Sequence, residues 1–586
     1  MRLILDPKDG DIEDDASSTK RHSLLALAGS LLVEISLTKL FAAWLVLIVL
    51  PGILLGLAPL VASAWLSAVV DKAMALAGVG SLIVLSVILA IGYVGFRHLI
   101  RIAERSFWSL NALLVQPVYA LSREATRHLA EHVLRSGASD ARRERIRTAA
   151  AAVAGVAVFA IAALPAAYAW QFTKWSASVA DLAHPLTFLT AALANMAFLV
   201  IGYLGGGSLF WGLADARTAQ PRSLSAFDTA EKDTPRWRIA HISDIHLVGE
   251  RHGYRIECGR EGPRGNQRFD AVMRKLEAAH NNQPLDYILI TGDLTDAGRS
   301  SEWAEFLTAV ENYPALLERM FVIPGNHDIN VVDRANPARF ELPISPGKRL
   351  RQMRALSCLC GVQGDRVHTV HPQSHQIGPS LSEAMQPHRS DIREFADAGG
   401  MRLSWRLERV WSDVFPLVVP PATKDGLGIV LLNSNAEANF SFTNALGMVP
   451  FEDAKAVVSI LRAHPDAHWI IALHHHLVEY PMPAAQLSER IGTALINGSW
   501  LLRAFRPFAR RIAVLHGHRH IDWIGACGSL RVISAPSPVM PAKGGRPPAF
   551  YIHTFAAKAD GLALEASTPI ALTSESESES ETVAKA

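Results

Sequence analysis

Five short apolar runs in this chain each end in side chains that can bind metal. Asp244 and His246 follow "WRIAHIS", Asp293 follows "YILITG", and Asn326 and His327 follow "MFVIPG". His474 to His476 follow "HWIIAL", and His518 and His520 follow "RIAVLHG". Carboxylate, imidazole and amide oxygen together suit divalent or trivalent ions such as Mn, Fe or Zn, and they do not suit a thiolate site. A shared carboxylate can bridge two such ions, which then stand about 3.5–4 Å apart and stabilise both the attacking and the leaving oxygen of an in-line displacement. The spacing in "LHGHRH" (515–520) decides little by itself, because two histidines need partners from elsewhere in the chain. The other four runs can supply them.

The runs read as strands. They are short, rich in β-branched and aromatic residues, and end in polar loops. Helical patterns such as "RFDAVMRKLEAAH" (268–280), "SEWAEFLTAVENY" (301–313) and "FEDAKAVVSILRAH" (451–464) lie between several of them. Such alternation predicts a sheet covered by helices, with its site at the carboxyl ends of the strands.

Taken together, "DIH" (244–246), "GDLTD" (292–296), "GNHD" (325–328), "LHHH" (473–476) and "GHRH" (517–520) resemble the motifs of the calcineurin-like metallophosphoesterases. Within that family they resemble most the branch of class III cyclic-nucleotide phosphodiesterases. The resemblance covers residues 237–555 and implies an α/β domain of four-layer αββα sandwich form around a dinuclear centre. Carried over residue by residue, it implies one ion held by Asp244, His246, Asp293 and His520. The other would be held by Asp293, Asn326, His474 and His518, with Asp293 as the bridge. His474 or His475 could fill its position, since Leu477 and Val478 stand where the family usually has proline; His474 comes first after the strand. His327 would face the phosphate, stabilising its charge or protonating the leaving oxygen. His516 reads as a packed or supporting neighbour. Asp296 and Asp328 read as residues that brace the metal loops. The substrate would be a phosphomonoester or phosphodiester, with a cyclic nucleotide implied by the branch. A lipid-linked phosphate ester and a non-catalytic binding module are the alternatives.

The first third of the chain has a different character. Residues 40–66, 73–96, 148–173 and 185–214 contain no Asp, Glu, Lys or Arg, and each is long enough for a hydrocarbon core that needs about 20 apolar residues. An all-α region of four transmembrane helices (40–214) is therefore expected, contacting the lipid bilayer through all four. The loop 97–147 carries ten arginines against five acids, whereas the loops 67–72 and 174–184 hold one lysine each. Positive loops stay in the cytoplasm. That places the segment 1–39, the linker 215–236 and the catalytic domain inside the cell, at what reads as a bacterial inner membrane.

Composition agrees with a mixed chain. Its 586 residues are 49% hydrophobic with a mean hydropathy of +0.17, high for a purely soluble protein. A net charge of +2 argues against a nucleic-acid polymer as partner. Cys258, Cys358, Cys360 and Cys527 show no paired framework, which favours a reducing compartment. Two insertions stand out: a polar loop at 247–267, and residues 329–427 with the basic "KRLRQMR" (348–354), read as a phosphate-holding patch or a solvated helix face. The tail 556–586, with its run "SESESESE", is expected to be disordered from about 572. Oligomeric state has no signal in the sequence.

Overall fold

The computed structural model describes residues 2–8, 45, 49–75, 83, 86, 110–133, 140–250, 253–256, 258, 262–333, 339, 341, 345–436, 441–482, 492–493, 495–540 and 547–572. It forms two compact units, Ser36–Thr218 and the combination of Met1–Ile35 with Ala219–Ala586.

The helical unit contains α1 (Leu50–Ala75), α2 (Gln116–Val133), α3 (Asp140–Trp170) and α4 (Pro185–Ala216). Among the described residues two helices, Glu144–Trp170 and Pro185–Ala216, are long and apolar enough to cross a membrane, where the sequence predicted four spans. They correspond to 148–173 and 185–214. Of the stretch 40–66, helix α1 begins at Leu50 and its apolar part is the shorter Leu50–Ala64. Most of 73–96 lies outside the described residues, as do the tail from 573 and parts of the loop 97–147. Helices α3 and α4 approach closely through small residues: a Cβ on Gly155 would sit 2.7 Å from the Ser208 carbonyl oxygen and 2.9 Å from the Gly212 Cα. Their large apolar side chains point outward, with Ile161 72%, Leu164 77% and Phe210 62% exposed. Small residues inside and large apolar ones outside is the pattern of helices that pack in lipid.

Among its described residues the second unit is built on fourteen strands: β1 (Pro221–Ser223), β2 (Arg236–Ile242), β3 (Tyr287–Ile290), β4 (Met320–Val322), β5 (His368–Val370), β6 (Ile377–Ser380), β7 (Leu417–Val419), β8 (Leu427–Leu431), β9 (His468–Ala472), β10 (Ile512–His516), β11 (Trp523–Cys527), β12 (Leu530–Ser534), β13 (Ala549–Lys558) and β14 (Gly561–Ala571). They form a nine-stranded sheet in the order β1-β11-β12-β10-β9-β8-β7-β5-β6 and a five-stranded sheet in the order β14-β13-β2-β3-β4. In the first sheet β8, β9, β10 and β12 run parallel; in the second β2, β3 and β4 do. The period of two is visible in what each strand buries. On β9, Trp469 and Ile471 join one core while Ile470 and Ala472 join another; on β10, Ile512 and Val514 part from Ala513 and Leu515 in the same way. One core contains Phe550 and Ile552 of β13, from the other sheet. The other contains residues of flanking helices described below. The nine-stranded sheet is therefore buried on both faces, which explains the continuous apolar runs.

Between the strands lie α5 (Gln267–Asn282), α6 (Ser300–Glu311), α7 (Pro346–Gln363), α8 (Arg389–Ala398), α9 (Met401–Val414), α10 (Phe451–Ala463) and α11 (Gly498–Phe505). Helix α5 buries Phe269, Val272, Met273 and Leu276, one face at helical spacing. Val457 and Ile460 of α10 and Leu501 and Phe505 of α11 cover the outer face of the larger sheet.

Three expectations about boundaries change. The segment 215–236 is not a free linker, because Pro221–Ser223 adds an edge strand to β11 and Asp228 accepts two hydrogen bonds from Arg531. The smaller sheet continues past residue 555, since β14 pairs along β13 as far as Ala571. The insertion 329–427 contributes α7 to α9 and strands β5 to β7. Its "KRLRQMR" is buried: Arg354 donates to the Gly298 carbonyl (2.9 Å), Arg351 donates to the Ile329 carbonyl (3.3 Å) and pairs with Glu341, and Arg349 lies 3.8 Å from Glu408. Arg351 and Arg354 hold backbone beside "GNHD" and "GDLTD", and the phosphate-patch reading is set aside.

Candidate metal centre

The predicted ligands converge where the strands of both sheets end. Asp293, 2% exposed, lies at the centre. Its Oδ2 is 3.2 Å from His474 Nε2 and 3.7 Å from His246 Nε2, while its Oδ1 accepts the His327 backbone N–H at 2.8 Å. On one side, His246 Nε2 is 3.3 Å from His520 Nε2, which is 3.4 Å from Asp244 Oδ1. On the other side, His474 Nε2 is 3.1 Å from Asn326 Oδ1 and 3.2 Å from His518 Nδ1. All seven predicted ligands are thus brought together. Among the described residues, Asp244, His246 and His520 form one group whose ligand atoms lie close enough to share an ion, Asp293, His474 and His518 form another, and His246, Asp293 and His327 form a third between them.

The donors fit two ions. Ligand atoms 2.0–2.2 Å from one cation in tetrahedral or octahedral positions are roughly 2.8–3.6 Å apart, the separation found on each side. Two imidazole nitrogens and a carboxylate or amide oxygen facing one point also aim several lone pairs together, an arrangement a cation neutralises. Burial alone would push the Asp293 carboxyl up, yet the neighbouring His474, His327 and His246 hold it well below the usual carboxylate range. Burial would lower His474, but Asp293 raises it to about 9. A cation binding there competes with that proton.

The backbone is shaped to make this possible. Among the described residues six non-glycine residues have positive φ, and five are predicted ligands: Asp244 (58°), His246 (41°), Asp293 (51°), His518 (76°) and His520 (51°). Left-handed backbone is uncommon for such residues and concentrates at functional sites. The glycines beside them leave room. Gly292 has φ of 98°, and a Cβ there would fall 2.4 Å from His474 Nδ1; a Cβ on Gly325 would fall 2.1 Å from Asp293 Oδ1.

Supporting contacts fix the rings. His474 Nδ1 donates to the Thr291 carbonyl (2.8 Å), which turns Nε2 toward Asp293. His475 Nδ1 instead meets Ser434 Oγ at 2.9 Å, and that ring lies outside the groups with metal-ligating geometry. The geometry favours His474 over His475. Accordingly, His474→Ala should lose metal and activity together, whereas His475→Ala should keep its metal and lose thermal stability, as metal analysis beside a melting curve would report.

His516 also stands apart: burial pushes it down to about 3, and its Nδ1 is 3.3 Å from the Gly517 carbonyl. Asp328 accepts from Leu294 N (3.2 Å), Thr295 N (2.8 Å), Thr295 Oγ1 (2.6 Å) and Gly325 N (2.7 Å), tying the "GDLTD" loop to "GNHD". Asp296 accepts from Ile256 N in the 247–267 loop (2.8 Å), and its other oxygen lies 3.6 Å from His246 Nδ1. His327 Nδ1 donates to the Asp296 carbonyl at 2.7 Å. Sequence reading missed Thr291 and Ser434, which carry no motif and act only through position.

Residues 238–522 match the family model of the calcineurin-like phosphoesterases. This region is a calcineurin-like metallophosphoesterase domain. Its family comprises metal-dependent phosphoester hydrolases. No curated protein matches the chain. Similar solved structures include a candidate 5'-nucleotidase from Staphylococcus aureus, 13% identical with TM-score 0.29, covering 60% of this chain and 58% of that one. A dimetal phosphatase from Danio rerio is 12% identical with TM-score 0.34, covering 57% and 99%. NAD nucleotidase from Haemophilus influenzae is 12% identical with TM-score 0.29, covering 58% and 50%. The chain thus spans between half and three fifths of the length of the two nucleotidases. Likenesses this distant carry no substrate to the phosphoesterase domain.

Proposed function

We propose that the chain is a membrane-anchored phosphoesterase with a dinuclear centre. One ion is held by Asp244, His246, Asp293 and His520, the other by Asp293, Asn326, His474 and His518. The observation that carries this reading is the position of Asp293 Oδ2, within 3.2 Å of His474 on one side and 3.7 Å of His246 on the other. Two bound cations supply an activated water and charge for the phosphoryl oxygens. The chain's own residues do the rest. Asp293 sets the spacing of the two ligand groups, and the Thr291 carbonyl fixes the His474 tautomer. His327, with Nδ1–H engaged by Asp296, offers Nε2 as the group that passes a proton to the leaving oxygen.

Anchoring rests on the inside-out packing of α3 and α4 and on connectivity. Residues 2–8 belong to the catalytic unit: Ile4 and Leu5 N–H donate to Ser357 Oγ at 3.0 and 2.8 Å. Both ends of the helical region then lie on one side of a membrane, so the number of crossings between them is even. The spans α3 and α4 satisfy that parity by themselves, and the four-span reading adds α1 and the stretch 73–96 as a second pair. The arginine-rich loop puts that side in the cytoplasm.

The substrate we favour is a cyclic nucleotide, on the motifs, with a lipid-linked phosphate ester as the second reading because α4 ends at Ala216 and β1 begins at Pro221, a short covalent tether. Purified full-length protein loaded with Mn, Fe or Zn should hydrolyse bis-(p-nitrophenyl) phosphate, and one class among cyclic nucleotides, monoesters and phospholipid-derived esters should be turned over fastest. Inactivity toward every substrate with every metal would leave only a binding role.

A further inference from the structure

We propose that the outward face of α9 is a docking surface for an anionic bilayer, an inference that rests on the membrane-anchored reading. Helix α9 buries Ser404, Leu407, Val410, Trp411 and Val414 against the domain. On the opposite side Met401 is 49% and Trp405 64% exposed, one turn apart, with exposed Arg402, Arg406 and Arg409 beside them. A bulky apolar pair rimmed by arginines is the composition that settles at a headgroup boundary, where tryptophan favours the interface and arginine the anionic phosphates. Arg406 is paired with Asp391 at 2.6 Å with Glu394 also near it, and Asp413 is exposed at the far end, so Arg402 and Arg409 carry most of the basic character of this face. Elsewhere among the described residues of this unit, large exposed apolar side chains are scattered singly, as at Phe227, Tyr254 and Met482.

The exposed arginines commit this face to an anionic bilayer, and the unit that carries it is joined covalently to the apolar helices. Helix α8, packed on α9, holds the start of the chain: Arg389 donates to the Leu3 carbonyl (3.3 Å) and Arg393 to the Ile4 carbonyl (3.2 Å). Helix α4 ends at Ala216 and β1 begins at Pro221. Five residue steps reach at most roughly 18 Å.

The test uses the full chain in nanodiscs containing brominated phosphatidylglycerol, alongside brominated phosphatidylcholine alone. Subtracting the emission of Trp405→Phe from that of the unsubstituted protein isolates Trp405. Expected is loss of most of that difference emission in the anionic discs, restored when Arg402, Arg406 and Arg409 are replaced by Glu. The proposal is overturned if Trp405 stays unquenched in anionic discs, or if its emission shifts only with protein concentration, which would mean a second copy covers the face. Flotation with liposomes after detergent removal checks the anchoring separately: protein that floats with an unquenched Trp405 defeats the docking surface alone, and protein that fails to float defeats both.

Discussion

Asp293→Asn should cost more than any other single change in the centre, with turnover falling on the order of 10³-fold or more and metal content falling with it. The reason lies in how its two oxygens are used. Oδ1 accepts the His327 N–H at 2.8 Å, and Oδ2 faces His474 at 3.2 Å and His246 at 3.7 Å. An amide has one oxygen. If that oxygen keeps the bond to His327, the NH2 group points between two imidazole nitrogens, repels a cation and removes the bridging charge. If the amide turns over, its NH2 meets the His327 N–H and the "GNHD" loop loses its tie. His474 also loses the charge that raises it to about 9, so the variant should take up fewer protons at pH 8 than the unsubstituted apoprotein. Metal analysis with activity on bis-(p-nitrophenyl) phosphate decides the matter: full metal occupancy with an ordinary rate would remove Asp293 from its bridging position.

The ligand types were legible in the sequence because a strand end is a local feature. An apolar run followed by Asp, His or Asn can be read from a window of eight residues, and five such windows narrow the chemistry to one kind of centre. What could not be read is the backbone each ligand needs. Nothing in "DIH" or "GHRH" announces left-handed φ at Asp244, His246, His518 and His520; it follows from how the loops are tied, as where Asp244 accepts the His518 N–H at 3.0 Å across 274 positions of sequence. Long-range packing also defeated the reading of "KRLRQMR". Four cations in seven residues suggest solvent or phosphate, yet carbonyls and acids distant in sequence bury them. The edge strand Pro221–Ser223 is too short and too polar to signal itself, and it forms because β11 presents an open edge beside it.

His327→Ala should separate chemistry from metal binding. Its backbone N–H on Asp293 Oδ1 holds the loop in place and survives in alanine, and its ring, although close to His246 and Asp293, is not one of the seven proposed ligands. Asp328, capping the same one-turn helix Asn326–Ile329, is untouched. Both ions should therefore stay, while turnover drops on the order of 10²-fold or more, the scale of a positioned acid or charge-stabilising group. The ring removed is well placed for that work. Its Nδ1 donates to the Asp296 carbonyl, and it packs edge-on against His246 with centroids 4.5 Å apart, so Nε2 is the nitrogen left to act. The identity of the leaving group distinguishes its two roles. Loss of an acid should slow an alkyl phosphodiester far more than a p-nitrophenyl ester, because an alkoxide needs a proton to depart and p-nitrophenolate does not. Loss of a charge-stabilising group should slow both alike. Equal metal content with a rate ratio that widens toward the alkyl ester would assign His327 as the acid, whereas unchanged turnover on both esters would remove it from the chemistry.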